Sequence, residues 1–369
     1  MAGNTKDGSI AKIGKIEKAN AVPVSAQVAA PFSKGVNFSQ WFEKPCAADI
    51  QFTFYAEQDF IDAKSIGADH VRLPVKMHSM TQGAPDFALD PLMLKYLDTA
   101  IDWAEKHGLY IIIDNHSYDP ILPTRNDIDG ILLKIWAQLA QRYKDRSNYV
   151  VYEILNEPHG ISDRLWGKIQ GAAIEAIRKV DTKHTVVVGG TDYNSLGKMT
   201  ALPKYDDPNF IYTFHFYDPH VFTHQGASWG SPSMVSLAGV PFPFDRKRMP
   251  KTPKDLKGTW LEDGLNQYES NSSFPALCAT LDRAAAFSLK RNVPVYCGEF
   301  GVYMIQSPAA DRVKWYEFIC TELDKRNIAR TNWDYFGGFG LFNTPNGRNF
   351  KSDLNADIVR ALGFKPPTI

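Results

Sequence analysis

Cysteine is scarce in this chain and is not arranged to bind a metal ion. The 369 residues include four cysteines, and no two of them form a Cys-x-x-Cys pair or another metal-ligand spacing. Cys297 lies in an apolar run and Cys320 in a helical pattern, so we expect mostly buried thiols rather than disulfides. The cysteines therefore give no support for a metal site.

Net charge and long apolar runs are also missing. Lys and Arg total 41, and Asp and Glu total 41, so nothing favours a polyanion and we expect no nucleic-acid partner. No apolar run is long enough to cross a bilayer, and we expect no membrane partner. Residues 1–20 are polar and lack the apolar core of a signal peptide, so the protein is either cytoplasmic or without its native leader.

The chain alternates between predicted strands and predicted helices. Eight strands separated mainly by helices are typical of a (β/α)8 barrel, also called a TIM barrel, of the α/β class. Residues 1–30 have no clear amphipathic period and are predicted to be an arm or linker. No composition shift divides the rest, so we predict one catalytic domain over residues 31–369.

The predicted elements cover most of this domain. Strands are expected at residues 35–38, 68–75, 109–114, 185–189, 209–217 and 328–333, and in the stretches that begin at 150 and 293. Helices are expected at residues 57–66, 91–107, 127–144, 163–180, 274–290, 309–327 and 352–362. Residues 218–273 show no confident element, and this length predicts a functional excursion rather than an ordinary loop.

Two of the apolar strands deliver a glutamate. Asn156 and Glu157 follow the fourth strand, and Glu299 ends the seventh between glycines. Because the carboxyl ends of barrel strands meet at one face, both carboxylates are predicted to face the same cleft. Paired carboxylates of this kind suggest glycoside hydrolysis, in which one protonates the leaving oxygen and the other acts as base or nucleophile. The sequence does not give their separation, so retention and inversion both remain open at this point.

These residues resemble glycoside hydrolase family 5. The similarity rests on Asn156-Glu157-Pro158 after a buried strand and on Gly298-Glu299-Phe300-Gly301 closing the seventh strand, and it extends over roughly residues 35–365. It implies Glu157 as acid/base, Glu299 as nucleophile, retention of configuration, no metal, no cofactor and β-linked glucans or mannans as substrates. We therefore expect a retaining endo-β-1,4-glucanase that is a monomer, and the resemblance implies a secreted or periplasmic location.

Further polar residues at strand ends match positions that this family uses around its reaction centre; they are Arg72, His116, His215 and Tyr217. Arg72 is expected to orient Glu299 and keep it ionised, although a buried ion pair with Glu153 is the alternative. Asn156 is expected to bond a sugar 2-hydroxyl, and Tyr217 to donate to Glu299. The two histidines are expected to bond sugar hydroxyls or tune the carboxylates, unless they are core residues.

Aromatic side chains are predicted to hold the flanking sugars. Trp333 ends the eighth strand at a position that the family also uses, where an indole can form the floor of a sugar subsite. Trp41, Trp229 and Trp260 lie on or near loops and are candidate stacking platforms, with loop packing as the alternative for each. Residues 224–229 are placed in one wall of the cleft by their position.

Other functions compete with this hypothesis. Within the family, a β-mannanase, a mixed-linkage glucanase or a xyloglucanase remains open, because the shape of the site near C2 of the sugar decides among them. A metal-dependent barrel enzyme that uses His116, His215 and Glu299 is a second class, but no His-x-His pair supports it. A carbohydrate-binding barrel without activity is a third, and the presence of both glutamates argues against it.

Overall fold

Eight parallel strands close into a barrel. The computed structural model describes residues 28–367. Neighbouring strands in the chain are neighbours in the sheet, and the last strand pairs in parallel with the first. The strands are β1 (Lys34–Asn37), β2 (His70–Val75), β3 (Tyr110–Asn115), β4 (Val150–Glu153), β5 (Thr185–Gly189), β6 (Phe210–Phe216), β7 (Val295–Phe300) and β8 (Ala329–Asn332). The predicted single-domain (β/α)8 barrel is confirmed, whereas residues 1–27 of the predicted arm lie outside the described part of the chain.

The long helices surround the barrel and turn an apolar face towards it. Their starts follow sequence signals: Asp90 accepts a hydrogen bond from the Leu92 amide ahead of Pro91, and Ser273 accepts one from the Ala276 amide. The helices between successive strands, and the one that closes the chain, are α1 (Glu57–Ser65), α2 (Pro91–Lys106), α3 (Asp129–Tyr143), α4 (Asp163–Arg178), α5 (Thr191–Asn194), α6 (Leu196–Ala201), α7 (His220–Thr223), α8 (Trp260–Asn266), α9 (Tyr268–Asn271), α10 (Phe274–Arg291), α11 (Ala309–Asp324) and α12 (Ala356–Ala361).

The prediction that residues 218–273 carry no regular element is wrong in part. This segment contains α7, α8 and α9, each of four to seven residues. The two helices α5 and α6 between β5 and β6 were likewise not predicted. Helices of one or two turns are shorter than the window in which a helical period becomes visible, so the sequence carried little signal for them.

Apolar side chains fill the amino-terminal end of the barrel. Phe32 lies across this end, with its ring centroid 4.4 Å from that of His70 and 5.3 Å from that of Tyr296. It packs in one buried cluster with inward-facing strand residues, namely Ile112, Val151, Val187, Ile211, Tyr296 and Ala329. Because this end is closed by packing, polar chemistry is confined to the carboxyl ends of the strands.

Three buried tryptophans tie helices to the carboxyl ends of strands. Trp136 on α3 donates its indole N–H to the carbonyl of Ile154, just after β4, at 2.9 Å. Trp166 on α4 donates to the carbonyl of Gly189 at the end of β5, at 2.8 Å. Trp315 on α11 donates to the carbonyl of Asp218, after β6, at 3.0 Å. The helices therefore fix the backbone from which the site residues project.

All four cysteines are unpaired thiols; Cys297 and Cys320 are buried as expected, whereas Cys46 is exposed. Within residues 28–367, no helix combines the length and the hydropathy needed to cross a membrane.

Candidate active site

The guanidinium of Arg72 is the centre of the site. It is fully buried on β2, and its Nη1 donates to Oε1 of Glu299 at 2.8 Å and to Oδ1 of Asn37 at 2.9 Å. Its Nη2 donates to Oδ1 of Asn156 at 2.8 Å and to Oε1 of Glu153 at 3.0 Å, and its Nε donates to Oε2 of Glu153 at 2.8 Å. Both roles considered from the sequence are present, since Arg72 orients Glu299 and pairs with Glu153.

Glu157 and Glu299 face each other across the carboxyl end of the barrel. One carboxylate oxygen of each, together with a ring nitrogen of His215, lies within 4.8 Å of the other two. Tyr217 donates its hydroxyl to Oε2 of Glu299 at 2.9 Å, which is the contact expected from the sequence. Glu299 therefore accepts hydrogen bonds on both oxygens, from Arg72 and from Tyr217, and its carboxylate is held in one orientation.

Irregular backbone aims the two carboxylates. Glu157 has a φ of 46°, a left-handed conformation that costs an ordinary residue about 1–3 kcal/mol. The pairing of β6 with β7 shifts register between Phe214 and His215, and the pairing of β7 with β8 shifts between Cys297 and Phe300. Bulges of this kind re-aim side chains at active sites, and here they flank His215 and Glu299.

His215 and Glu157 are held together as neutral groups. Nδ1 of His215 lies 2.6 Å from Oε1 of Glu157. Burial raises the pKa of Glu157 to about 7, although the nearby charge of His116 opposes this rise. Burial also lowers the pKa of His215 to about 4. Between these values both groups are uncharged, so Glu157 keeps the proton that a general acid needs.

His116 is a buried cation beside the pair. Burial lowers its pKa, but the charge and hydrogen bond of Asp114, whose Oδ2 lies 2.6 Å from Nδ1 of His116, act with the charges of Glu43 and Glu299 to raise the pKa to about 9. The indole of Trp333 stacks on the imidazole, with centroids 5.5 Å apart and planes 10° apart. Asn156 lies next to His116, with its Nδ2 3.5 Å from Nε2 of the imidazole.

A cleft of about 550 Å³ opens onto both glutamates. Its lining includes Trp333, His116 and Trp229, and Trp229 is 43% exposed. His224 also lines the cleft, as the placement of residues 224–229 anticipated. A second cavity of about 680 Å³ continues from the cleft and is lined by Trp229 and Trp260.

The prediction of Trp41 as a stacking platform is wrong. Its side chain has no exposed surface, and its indole N–H donates to the carbonyl of Gln51 at 3.1 Å. Its ring packs on Phe42 at 4.8 Å and stacks parallel to Trp103 at 6.2 Å. Trp41 therefore joins β1 to α2 as part of the core, and a sugar cannot reach it.

The sequence of this barrel matches the model of an enzyme family. The cellulase model of glycosyl hydrolase family 5 matches residues 31–337. This chain belongs to glycosyl hydrolase family 5. The chain is therefore a glycoside hydrolase, as the resemblance in the sequence implied.

Two curated relatives of this family 5 enzyme are named endoglucanases. Endoglucanase C of Acetivibrio thermocellus is 28% identical over 318 residues, which are 82% of this chain and 91% of the relative. Endoglucanase 3 of Fibrobacter succinogenes is 28% identical over 366 residues, which are 92% of this chain. The chain spans only 54% of the length of that second relative.

Solved structures share the fold over almost their whole length. Endoglucanase Cel5A of Thermotoga maritima superposes with a TM-score of 0.75 at 27% identity, covering 89% of this chain and 96% of that one. The cellulose synthase subunit Z of Clostridioides difficile superposes with a TM-score of 0.75 at 26% identity, covering 90% and 99%.

Several residues of this family 5 site were not singled out from the sequence. Asn37 and Asp114 stand at the ends of β1 and β3, so the strand-end argument that found Arg72 also applied to them. Tyr118, Glu43 and Asp334 line the cleft from loops, where no periodic pattern marks them. Burial raises the pKa of Asp334 to about 7, and Ser39 donates to its Oδ2 at 2.7 Å.

The metal ligands considered from the sequence are not assembled. Within residues 28–367, the only cluster of three potential ligands is Glu157, His215 and Glu299, without His116. His116 instead points its Nδ1 to Asp114. The three clustered side chains are the two glutamates and the histidine that contacts Glu157, a grouping that acid, base and nucleophile roles would also require.

Proposed function

We propose that this enzyme is a retaining endo-β-1,4-glucanase. The observation that carries the proposal is the spacing of the two glutamates, with one oxygen of each within 4.8 Å of the other. Carboxyl groups about 5–5.5 Å apart suit a two-step mechanism through a covalent intermediate, whereas about 6.5–9.5 Å is needed for direct attack by water. The narrow spacing therefore supports retention.

In the first step, Oε2 or Oε1 of Glu299 attacks the anomeric carbon while Glu157 gives its proton to the leaving oxygen. Burial, which raises the pKa of Glu157 to about 7, keeps that proton in place. In the second step, Glu157 takes a proton from water, which attacks the same carbon and releases Glu299. The configuration at the anomeric carbon is inverted twice and is thus retained.

Arg72 and Tyr217 support the nucleophile through both steps. Each donates a hydrogen bond to a different oxygen of Glu299, and Arg72 adds a fixed positive charge. These contacts favour the ionised carboxylate as attacking group and as leaving group. Asn156, held by Arg72, is proposed to bond the 2-hydroxyl of the reacting sugar.

The shape of the cleft supports cleavage inside a polymer. Tyr118, Pro120, Tyr217, His224 and Trp229 line both the 550 Å³ cleft and the 680 Å³ cavity, so the groove continues past the glutamates. A polymer chain therefore has room to extend beyond the reaction centre along this groove, which supports internal cleavage.

The relatives support one polymer as the preferred substrate. The two curated relatives described above are named endoglucanases, which supports β-1,4-glucan. A β-mannan is the second candidate, because one solved structure of Thermotoga maritima Cel5A holds mannotriose, at 26% identity and a TM-score of 0.75. We also propose that the enzyme is a monomer that acts outside the cytoplasm, where such polymers are found.

Two measurements test this function. Proton NMR of the first product from a soluble cello-oligosaccharide should show the β-anomer, and early α-anomer would refute the two-step mechanism. The viscosity of carboxymethylcellulose should fall before many reducing ends appear. Activity on mannan with none on carboxymethylcellulose or barley glucan would instead assign a mannanase.

A chelator separates this function from a metal-dependent one. Every role in the mechanism is filled by a side chain, so exhaustive dialysis against EDTA should leave the rate unchanged. Loss of turnover with an intact fold, restored by a divalent cation, would favour the metal-dependent class.

A further inference from the structure

The groove extends beyond the second cavity. A third cavity of about 300 Å³ shares Asp218, His220, Trp260 and Thr280 with the 680 Å³ cavity. The three spaces therefore form one path that starts at the glutamates, passes Trp229 and reaches Trp260. The mechanism proposed above uses only the beginning of this path.

The path lies on the side of the leaving group. The first cleft is lined by both Glu157 and Glu299, whereas the 680 Å³ cavity is lined by Glu157 and not by Glu299. The acid protonates the leaving oxygen, and the nucleophile bonds to the sugar that stays. A cavity that meets the acid alone is thus the place of the departing sugars.

Trp260 presents an indole to the path. Its side chain is 49% exposed, and it stands at the start of α8, where the side chain of Thr259 caps the helix. Its N–H donates to the carbonyl of Ser231 at 3.3 Å, so its one polar atom is already used. The exposed half of this anchored indole is available for stacking against a sugar ring.

Aromatic rings connect Trp260 with the reaction centre. The ring of His220 lies 5.5 Å from that of Trp260 and 3.9 Å from that of His224, which is 4.8 Å from that of Tyr217. Tyr217 in turn donates to Glu299. Aromatic rings therefore contact one another in a row from Trp260 to Tyr217, and the segment between β6 and β7 supplies them.

Polar groups also line the 680 Å³ cavity. Thr280 and Arg283 reach it from α10, and Asp218 lines it after β6. A flat ring and hydrogen-bonding groups in one cavity are what a sugar requires, because its faces are apolar and its rim carries hydroxyls.

We propose that Trp260, with Thr280 and Arg283, forms a distal subsite for a further sugar on the leaving-group side. The site takes a β-1,4-linked glucose unit beyond the one that contacts Trp229, and it makes longer chains better substrates. This inference rests on the proposed glucanase function.

The test compares chain lengths in matched variants. Rates are measured for wild type, Trp260→Ala, Trp260→Phe and Val235→Ala on an aryl cellobioside, whose leaving group is a phenol, and on cellotriose to cellohexaose. The cleaved bond is identified by ¹⁸O labelling of the new reducing end. Val235 is the control because it is exposed on the same segment and lines none of the three cavities.

Trp260→Ala should lower kcat/KM for cellohexaose about three- to tenfold relative to the aryl cellobioside, taking sugar stacking to be similar to aromatic pairing. The cleaved bond should move so that fewer sugars lie on the leaving side. Trp260→Phe should recover most of the effect, because it keeps a ring but not the N–H. Val235→Ala should match wild type.

Two failures are distinguishable. If wild type does not cleave cello-oligosaccharides at all, the proposed function is wrong. If wild type cleaves them and Trp260→Ala keeps the same length dependence and the same cleaved bond, the distal subsite is wrong and the function stands. Should Trp260→Ala fail to fold, Arg283→Ala gives the same comparison, with the same reading of an unchanged pattern.

Discussion

The guanidinium of Arg72 positions most of the polar side chains around it in this site. Its five N–H donors are matched by Glu153, Asn37, Asn156 and Glu299, and Oδ2 of Asp114 lies 3.0 Å from Nη2. A lysine carries a single point of charge and three donors, so it cannot span these partners. The planar fork thus fixes the nucleophile and the sugar-binding amide relative to each other.

Chemical rescue should distinguish the roles of the two glutamates, because they act at different steps. Glu299→Ala should lose activity on every substrate, since no covalent bond can form. Glu157→Ala should still form the intermediate from an aryl cellobioside with an acidic phenol, yet nearly fail on polymer, whose leaving hydroxyl needs a proton. Product analysis by NMR after adding azide is the measurement.

The configuration of the azide product identifies each role. With Glu157→Ala, azide attacks the glycosyl-enzyme and should give the β-glycosyl azide. With Glu299→Ala, azide attacks the substrate directly and should give the α-azide. Products of the opposite configurations would exchange the roles of acid and nucleophile.

The charge of His116 should affect the pH at which activity falls on the alkaline side, because it lowers the pKa of Glu157. Glu157 acts in its protonated form, so kcat/KM should fall as the pH rises through its pKa of about 7. The positive charge of His116 opposes the rise that burial causes in this pKa. His116→Asn should therefore move the alkaline limb of kcat/KM to higher pH, whatever it does to the maximal rate. A limb that stays in place or moves to lower pH would show that His116 is not charged beside Glu157.

At the level of elements, the tryptophans of the outer helices hold the strand ends. Trp136→Phe keeps most of the apolar volume but leaves the buried carbonyl of Ile154 without its donor, which should cost about 1–3 kcal/mol of unfolding free energy. This carbonyl is three residues before Glu157, so kcat should fall as well. Urea denaturation and steady-state kinetics measure the two effects.

Trp166→Phe is the matched control for this prediction. It removes the same kind of hydrogen bond at the end of β5, to the carbonyl of Gly189, on a strand that carries neither glutamate. Stability should fall by a similar amount while kcat changes less. Equal losses of kcat in the two variants would mean that the bond at β4 has no special role in placing Glu157.

The sequence predicted the elements that carry a long regular pattern, and it missed the irregular ones. The helix at α2 and the strand β5 were predicted within a few residues, because apolar periodicity and capping residues mark them. The bulges beside His215 and Glu299 left no pattern, since a bulge depends on the partner strand. Trp41 was misplaced because a tryptophan after a strand end looks the same in sequence whether it faces the cleft or the core.

At the scale of the molecule, closure of the barrel brings residues that are distant in the sequence into one site. Arg72, Glu157 and Glu299 are far apart in the chain, and each was predicted as a polar residue on or just after a strand, at a position that also resembles one of family 5. The closed order of eight parallel strands brings the ends of these strands together, so the count of strands was enough to predict a shared face. The carboxylate spacing was not predictable, because it depends on the left-handed backbone at Glu157 and on the bulges.

Because the closed barrel buries Glu157, ionisation of this side chain should lower the free energy of unfolding, and the size of this effect should depend on pH. Burial raises the pKa of Glu157 from 4.5 to about 7, and its side chain is only 12% exposed. Below pH 4.5 the carboxyl is protonated in both the folded and the unfolded state, so there is no penalty. Above pH 7 folding must bury the ionised form, which costs up to about 3 kcal/mol.

Glu157→Gln should therefore become more stable than wild type as the pH rises. Glutamine keeps the shape and a donor for His215 but has no proton to lose, so the two proteins should unfold alike at pH 4.5 and differ most at pH 8. The free energy of unfolding in urea at both pH values is the measurement, and Glu317→Gln, an exposed position on α11, is the control. If the advantage of Glu157→Gln is the same at both pH values, burial does not hold the proton on Glu157, and the acid role must depend on contacts that form only with bound substrate.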